Sequence, residues 1–206
     1  MAVPRWPYPR LRKFAEDYLD RVHVSGEIPI PIEEILDSPE GVDVVPLEGL
    51  YERGHEAFLS RDMTCIYIDK GIMMHKVPYR YRFSLAHELA HVLLHKDIIN
   101  EAPPYKDVNG WIDFLKSFPN EDLRWIENQA YGLAGLLLVP PRQLEDEYLR
   151  VVKQLESLGT SFNSLTPPTM KSITSAIGEK FQVSRFVINK RARKDDLWDW
   201  DEDYIQ

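Results

Sequence analysis

The segment His87-Glu88-Leu89-Ala90-His91 constrains this chain more than any other, because two imidazoles four positions apart share a face only on an α-helix. The flanking residues agree. From about Arg80 to His95 apolar residues recur at helical spacing, and Ala86, Leu89, Ala90, Leu93 and Leu94 supply a packing face. On such a helix the two Cβ atoms lie about 5–6 Å apart, so both rings can reach one ion at the ~2.0–2.1 Å that zinc accepts from nitrogen. Glu88 projects about 100° round the helix from His87, beside the ion, where a carboxylate can take a proton from water. His95 extends the stripe by another turn. It lies about 12 Å along the axis from His87, too far to share its metal, and is expected to cap the helix or support the ligands from behind.

A catalytic zinc needs a third protein ligand and an open position. Glu101, Asp107, Asp113, Glu121 and Glu127 are downstream candidates, most of them in loops or on polar faces. Glu127 differs, because on a helix it shares a face with Ala130, Ala134 and Leu137 or Leu138. A carboxylate on a face that packs is costly unless it is paired or holds a metal. Glu127 is therefore the expected third ligand.

The remaining chain supplies a framework of α+β class. Helices are expected over Leu11–Val22, Ile32–Leu36, Trp111–Phe118, Asn120–Pro140 and Arg142–Leu158. Val42–Leu47 reads as a strand, and Met63–Asp69 with Ile72–Val77 as a hairpin around Lys70-Gly71. Asn100–Gly110 and Gly159–Pro168 read as loops, and Thr169–Arg193 as two short helices with a turn at Gln182-Val183 and Ser184 as N-cap. Three regions follow: a main domain over 1–158, a helical C-terminal region over 159–194 that resembles a helix-turn-helix, and an acidic tail over 195–206. Arg185, Lys190, Arg191, Arg193 and Lys194 could face phosphates, although packing or partner docking is the favoured role for these helices. The tail, with Trp198, Trp200 and Tyr204 among its acids, is expected to be solvated or to lie in a basic groove.

Charge and cysteine content narrow the function. A formal net charge of −8 argues against general affinity for nucleic acid or anionic membranes. The single cysteine, Cys65, fits a reducing compartment, and no apolar run approaches the ~20 residues that span a bilayer. A cytoplasmic protein without a membrane partner is expected.

Two blocks carry a family resemblance. Arg82-Phe-Ser-Leu-Ala-His-Glu-Leu-Ala-His91-Val-Leu-Leu-His95 and Glu127-Asn-Gln-Ala-Tyr-Gly-Leu-Ala-Gly-Leu-Leu-Leu-Val-Pro140 resemble, in sequence and order, the signature blocks of the ImmA/IrrE metallopeptidases. The likeness covers Pro29 to Pro141 well and the C-terminal part loosely. It implies a zincin-like domain whose small sheet packs on the metal-binding helix, a zinc ion held by His87, His91 and Glu127, and Glu88 as catalytic base. It also implies an endopeptidase whose protein substrate is a DNA-binding, helix-turn-helix repressor in stress response or mobile-element control. Tyr131 departs from the family's frequent Asn. The oxyanion-stabilising group is open among His55, His75, Tyr79, Tyr81, Arg82 and Tyr131. A catalytically idle zinc-containing sensor or binding module is the second reading, disfavoured by the intact Glu88.

Overall fold

The computed structural model describes residues 3–74, 78–101, 104–105 and 107–200. In chain order these form α1 (Tyr8–Val22), α2 (Ile32–Asp37), β1 (Asp43–Leu47), β2 (Ala57–Leu59), β3 (Cys65–Asp69), α3 (Lys70–Met74) and α4 (Pro78–Leu94). There follow α5 (Lys96–Asn100), α6 (Val108–Lys116), α7 (Asn120–Leu138), α8 (Pro141–Ser157), α9 (Pro167–Phe181) and α10 (Arg185–Lys194). The α+β class expected from the sequence is the class observed.

Prolines open several helices rather than merely preceding them. α1, α8 and α9 each carry proline in the first turn, where its missing N–H would have no intrahelical partner and its φ is already helical. These helices accordingly start one to three residues before the positions expected from apolar spacing.

The sheet is small, in the order β1-β3-β2. β1 runs parallel to β3 with Asp43 opposite Cys65 and Leu47 opposite Asp69, while β2 runs antiparallel with Ala57 opposite Ile68. The expected hairpin after Asp69 does not form. Asp69 Oδ1 accepts hydrogen bonds from the amides of Gly71 at 2.9 Å and Ile72 at 3.2 Å, satisfying N–H groups at the start of α3, so the chain enters a helix where a returning strand was expected. Residues 75–77 of that expected strand lie outside the described residues. The antiparallel neighbour is instead β2, only three residues long and buried throughout, which leaves no alternation to read.

α4 and α7 form the centre of the packing. Leu85, Ala86, Leu89 and Ala90 of α4 and Ala130, Leu133, Ala134 and Leu137 of α7 are all buried. The alanines let the backbones approach, and each fully buried leucine contributes about 1.5–3 kcal/mol of transfer free energy. The same apolar cluster takes in Phe181, Val183, Ile188 and Ala192 of the C-terminal helices. Between α9 and α10 the chain turns as anticipated: Gln182 is left-handed at φ 52° and the Ser184 hydroxyl accepts from the Val187 amide. Gly178 is required there, since a Cβ would sit 2.7 Å from the Val183 carbonyl oxygen.

Two expectations about the C-terminus are corrected. Trp198 and Trp200 are buried, stacked at 4.8 Å between ring centroids, and the Trp198 indole donates to Asn189 at 2.8 Å. Two large indoles outweigh the single acid between them, Asp199, so the tail is packed, not solvated, as far as residue 200. Arg191 does not face phosphates: it is buried, donates to the Val139 carbonyl and pairs with Asp195 at 2.7 Å.

Candidate metal centre

α4 presents His87 and His91 one turn apart, and α7 brings Glu127 against them. His87 Nε2 lies 3.1 Å from His91 Nε2 and 3.3 Å from Glu127 Oε2, and His91 Nε2 lies 3.8 Å from Glu127 Oε1. Donors around a tetrahedral ion at ~2.0–2.1 Å lie roughly 3.3 Å apart. Two imidazole nitrogens and a carboxylate edge at these separations thus fit a zinc ion in both donor chemistry and spacing. This is the only such cluster of His, Cys, Asp or Glu among the described residues, and Glu101, Asp107, Asp113 and Glu121 are not part of it.

The surrounding electrostatics act in opposite directions on the two imidazoles. Burial, helped by the neighbouring His87 and His95, holds His91 well below the usual imidazole range. At His87 burial acts in the same direction but is outweighed by Glu127, Glu88 and Glu56, and the ring is shifted up. His95, 2 % exposed, is pushed down to about 4 by burial. Its Nδ1 lies 3.0 Å from His91 Nδ1. One of the two Nδ1 atoms donates to the other, while His91 Nε2 faces Glu127 and His87. His95 thus contacts the ring nitrogen of His91 opposite the one that faces His87 and Glu127.

Glu88 is 7 % exposed and lines the same cleft. Burial pushes its carboxyl up to about 7, against the pull of His87 and with the help of Glu127. A carboxyl in that range takes up and releases a proton near neutrality.

The cleft measures about 1050 Å³ and is walled by α4, α7, the segment around His55 and the start of α10. Of the groups considered for an oxyanion, His55, Tyr79 and Tyr131 line it. Tyr131 has its ring 4.5 Å from that of His87 and is 49 % exposed. Tyr81 and Arg82 are engaged elsewhere, donating to Glu33 and to the Ile30 carbonyl respectively, and His75 lies outside the described residues.

Sequence reasoning missed Glu56, which accepts from the Ser84 hydroxyl at 2.8 Å, pairs with Arg80 and faces the cleft. It also missed Trp111, edge-on to His55 at 4.7 Å, and the wall from Ser184, Phe186 and Val187. Each arrives through a long-range contact with no local pattern to announce it.

A helix bearing His-Glu-x-x-His beside a carboxylate from a second helix is the arrangement of metal-dependent hydrolases. The chain belongs to the peptidase M78 family: the family's IrrE N-terminal-like domain matches residues 41–193, including the C-terminal helices. A comparison with curated proteins gives no match. Among solved structures, one described as a Mycobacterium tuberculosis transcriptional regulator superposes with a TM-score of 0.53 at 16% identity, over 88% of this chain. The match covers 45% of that longer chain, so this chain spans about half its length. No helix among the described residues is long and apolar enough to cross a membrane.

Proposed function

We propose that the protein is a zinc-dependent endopeptidase that cuts a DNA-binding, helix-turn-helix repressor at a specific bond in the cytoplasm. The convergence of His87, His91 and Glu127 beside a buried Glu88 is the observation that carries this reading. Membership of a peptidase family supports hydrolysis of a peptide bond, and the resemblance to ImmA/IrrE proteins supports a repressor as substrate.

In this mechanism His87 and His91 would hold the metal, and Glu127 would complete the set from α7. A bound zinc ion supplies a Lewis acid and makes water nucleophilic near neutral pH. Glu88 takes the proton of the attacking water and returns it to the leaving amine, a role suited to a carboxyl near 7. His95, hydrogen-bonded to His91 at Nδ1, holds the orientation of the His91 ring. The α4–α7 packing keeps the three ligand side chains from drifting apart, and the buried setting of Glu88 limits its access to bulk water.

The test is a panel of helix-turn-helix repressors from the same cell incubated with zinc-loaded protein and read by intact-protein mass spectrometry. One cut in one repressor, stopped by a chelator, is expected. A panel left whole, or one degraded at many bonds, contradicts the proposal.

A further inference from the structure

Beside the metal cleft a second cavity of about 490 Å³ lies between α1, α7 and α10. Trp6, Tyr8, Trp125 and Tyr131 give it aromatic walls, and Lys190, Arg191 and Lys194 line it from α10. No carboxylate among the described residues lines it, in a chain whose formal net charge is −8 and whose metal cleft carries Glu56, Glu88 and Glu127.

Cations also stand against these aromatic rings. The Arg10 guanidinium lies 3.8 Å from the Trp6 ring, Arg5 lies 5.2 Å from Trp125, and the Lys194 ammonium lies 5.4 Å from Tyr8. The nearby carboxylates are engaged: Asp195 with Arg191 and Arg12, Glu121 with Arg5. Lys190 and Lys194 are exposed and pair with no carboxylate among the described residues. The cavity is therefore apolar within and positive at its rim.

It adjoins the metal cleft, since Phe83, Tyr131 and Val187 line both. We infer that this cavity is a substrate subsite, taking an aromatic side chain whose neighbours in the substrate polypeptide are acidic. The inference rests on the peptidase reading for the identity of its occupant. A polypeptide lying in the cleft passes the three shared residues and drops the ring between Trp6 and Trp125, while flanking carboxylates meet Lys190 and Lys194. Stacking supplies the affinity and the lysines supply the choice of partner.

The experiment follows tryptophan fluorescence, to which Trp6 and Trp125 contribute from the cavity wall, on the full chain freed of metal by a chelator. Acetyl-Glu-Phe-Glu-amide is expected to bind about tenfold more tightly than acetyl-Lys-Phe-Lys-amide or acetyl-Glu-Ala-Glu-amide. The double variant Lys190→Glu, Lys194→Glu, altered only at exposed positions, is expected to reverse the order of the two Phe peptides. Equal binding of those two peptides by the unaltered protein overturns the inference, as does an order that the variant leaves unchanged. Phenylacetate binding as tightly as the acidic peptide overturns the assignment to a polypeptide. Because no metal is present, failure here leaves the peptidase reading standing, and failure of catalysis leaves this binding measurable.

Discussion

Glu88→Gln is expected to keep the metal and to lower kcat/KM for peptide cleavage on the order of 10²–10⁴-fold, the range that one positioned acid–base group contributes. The amide has nearly the shape of the carboxyl and leaves His87, His91 and Glu127 untouched. It cannot accept the proton of the attacking water. The burial that shifts the Glu88 carboxyl also denies the site a ready replacement base from solvent. Metal content measured beside the rate separates the two effects. Equal metal with a lost rate supports the role given to Glu88, whereas an undiminished rate removes it.

Asp195→Ala is expected to destabilise the fold by about 3–5 kcal/mol, a large share of the 5–15 kcal/mol typical of a domain. Asp195 Oδ1 accepts from the Tyr8 hydroxyl at 2.9 Å and from Arg12 at 3.3 Å, while Oδ2 accepts from Arg191 at 2.7 Å. The Asp195 and Arg191 side chains are 4 % and 5 % exposed, and burial lowers the pKa of the Arg191 guanidinium. Without the carboxylate, a buried cation is left against a wall of α7. Urea unfolding measures the loss. The paired change Arg191→Met, Asp195→Leu is expected to cost less than Asp195→Ala alone, because it buries no unpaired charge. A single variant as stable as the unaltered protein would contradict this view of how the C-terminal segment is held.

That segment also marks where the sequence stopped being informative. A run of acids looks solvated when charges are counted along the chain. Asp195 is satisfied by Tyr8, Arg12 and Arg191, two of them more than 180 positions away, and no local pattern encodes that match. Arg191 looked available for phosphate because its contacts with Tyr8 and Val139 are distant in sequence, although its pairing with Asp195 has an i,i+4 spacing that the sequence does display. Conversely, α4 and α7 were legible nearly to the residue, because each alone carries a full apolar stripe and the stripes fix which side chains face inward. The candidate metal cluster was suggested by that periodicity, which put Glu127 on the packing face of its helix, and the packing of α4 on α7 brings His87, His91 and Glu127 together. β3 was half legible. Its apolar run ended where expected, but Asp69 decided what came next through two hydrogen bonds to the following amides, a choice that the apolar pattern of Ile72 and its neighbours concealed. The cleft was legible on its α4 and α7 walls and silent at α10, whose Phe186 and Val187 reach it only through tertiary packing.

The central claim is that these three side chains hold a hydrolytic zinc ion, and X-ray absorption at the zinc edge tests it most directly. The protein purified with zinc is expected to hold one ion with nitrogen and oxygen neighbours only, at about 2.0–2.1 Å, with two imidazoles in the pattern. Glu127→Ala is expected to bind zinc far more weakly. A zinc–sulfur distance near 2.3 Å, or tight zinc binding unchanged in Glu127→Ala, would contradict the proposed centre.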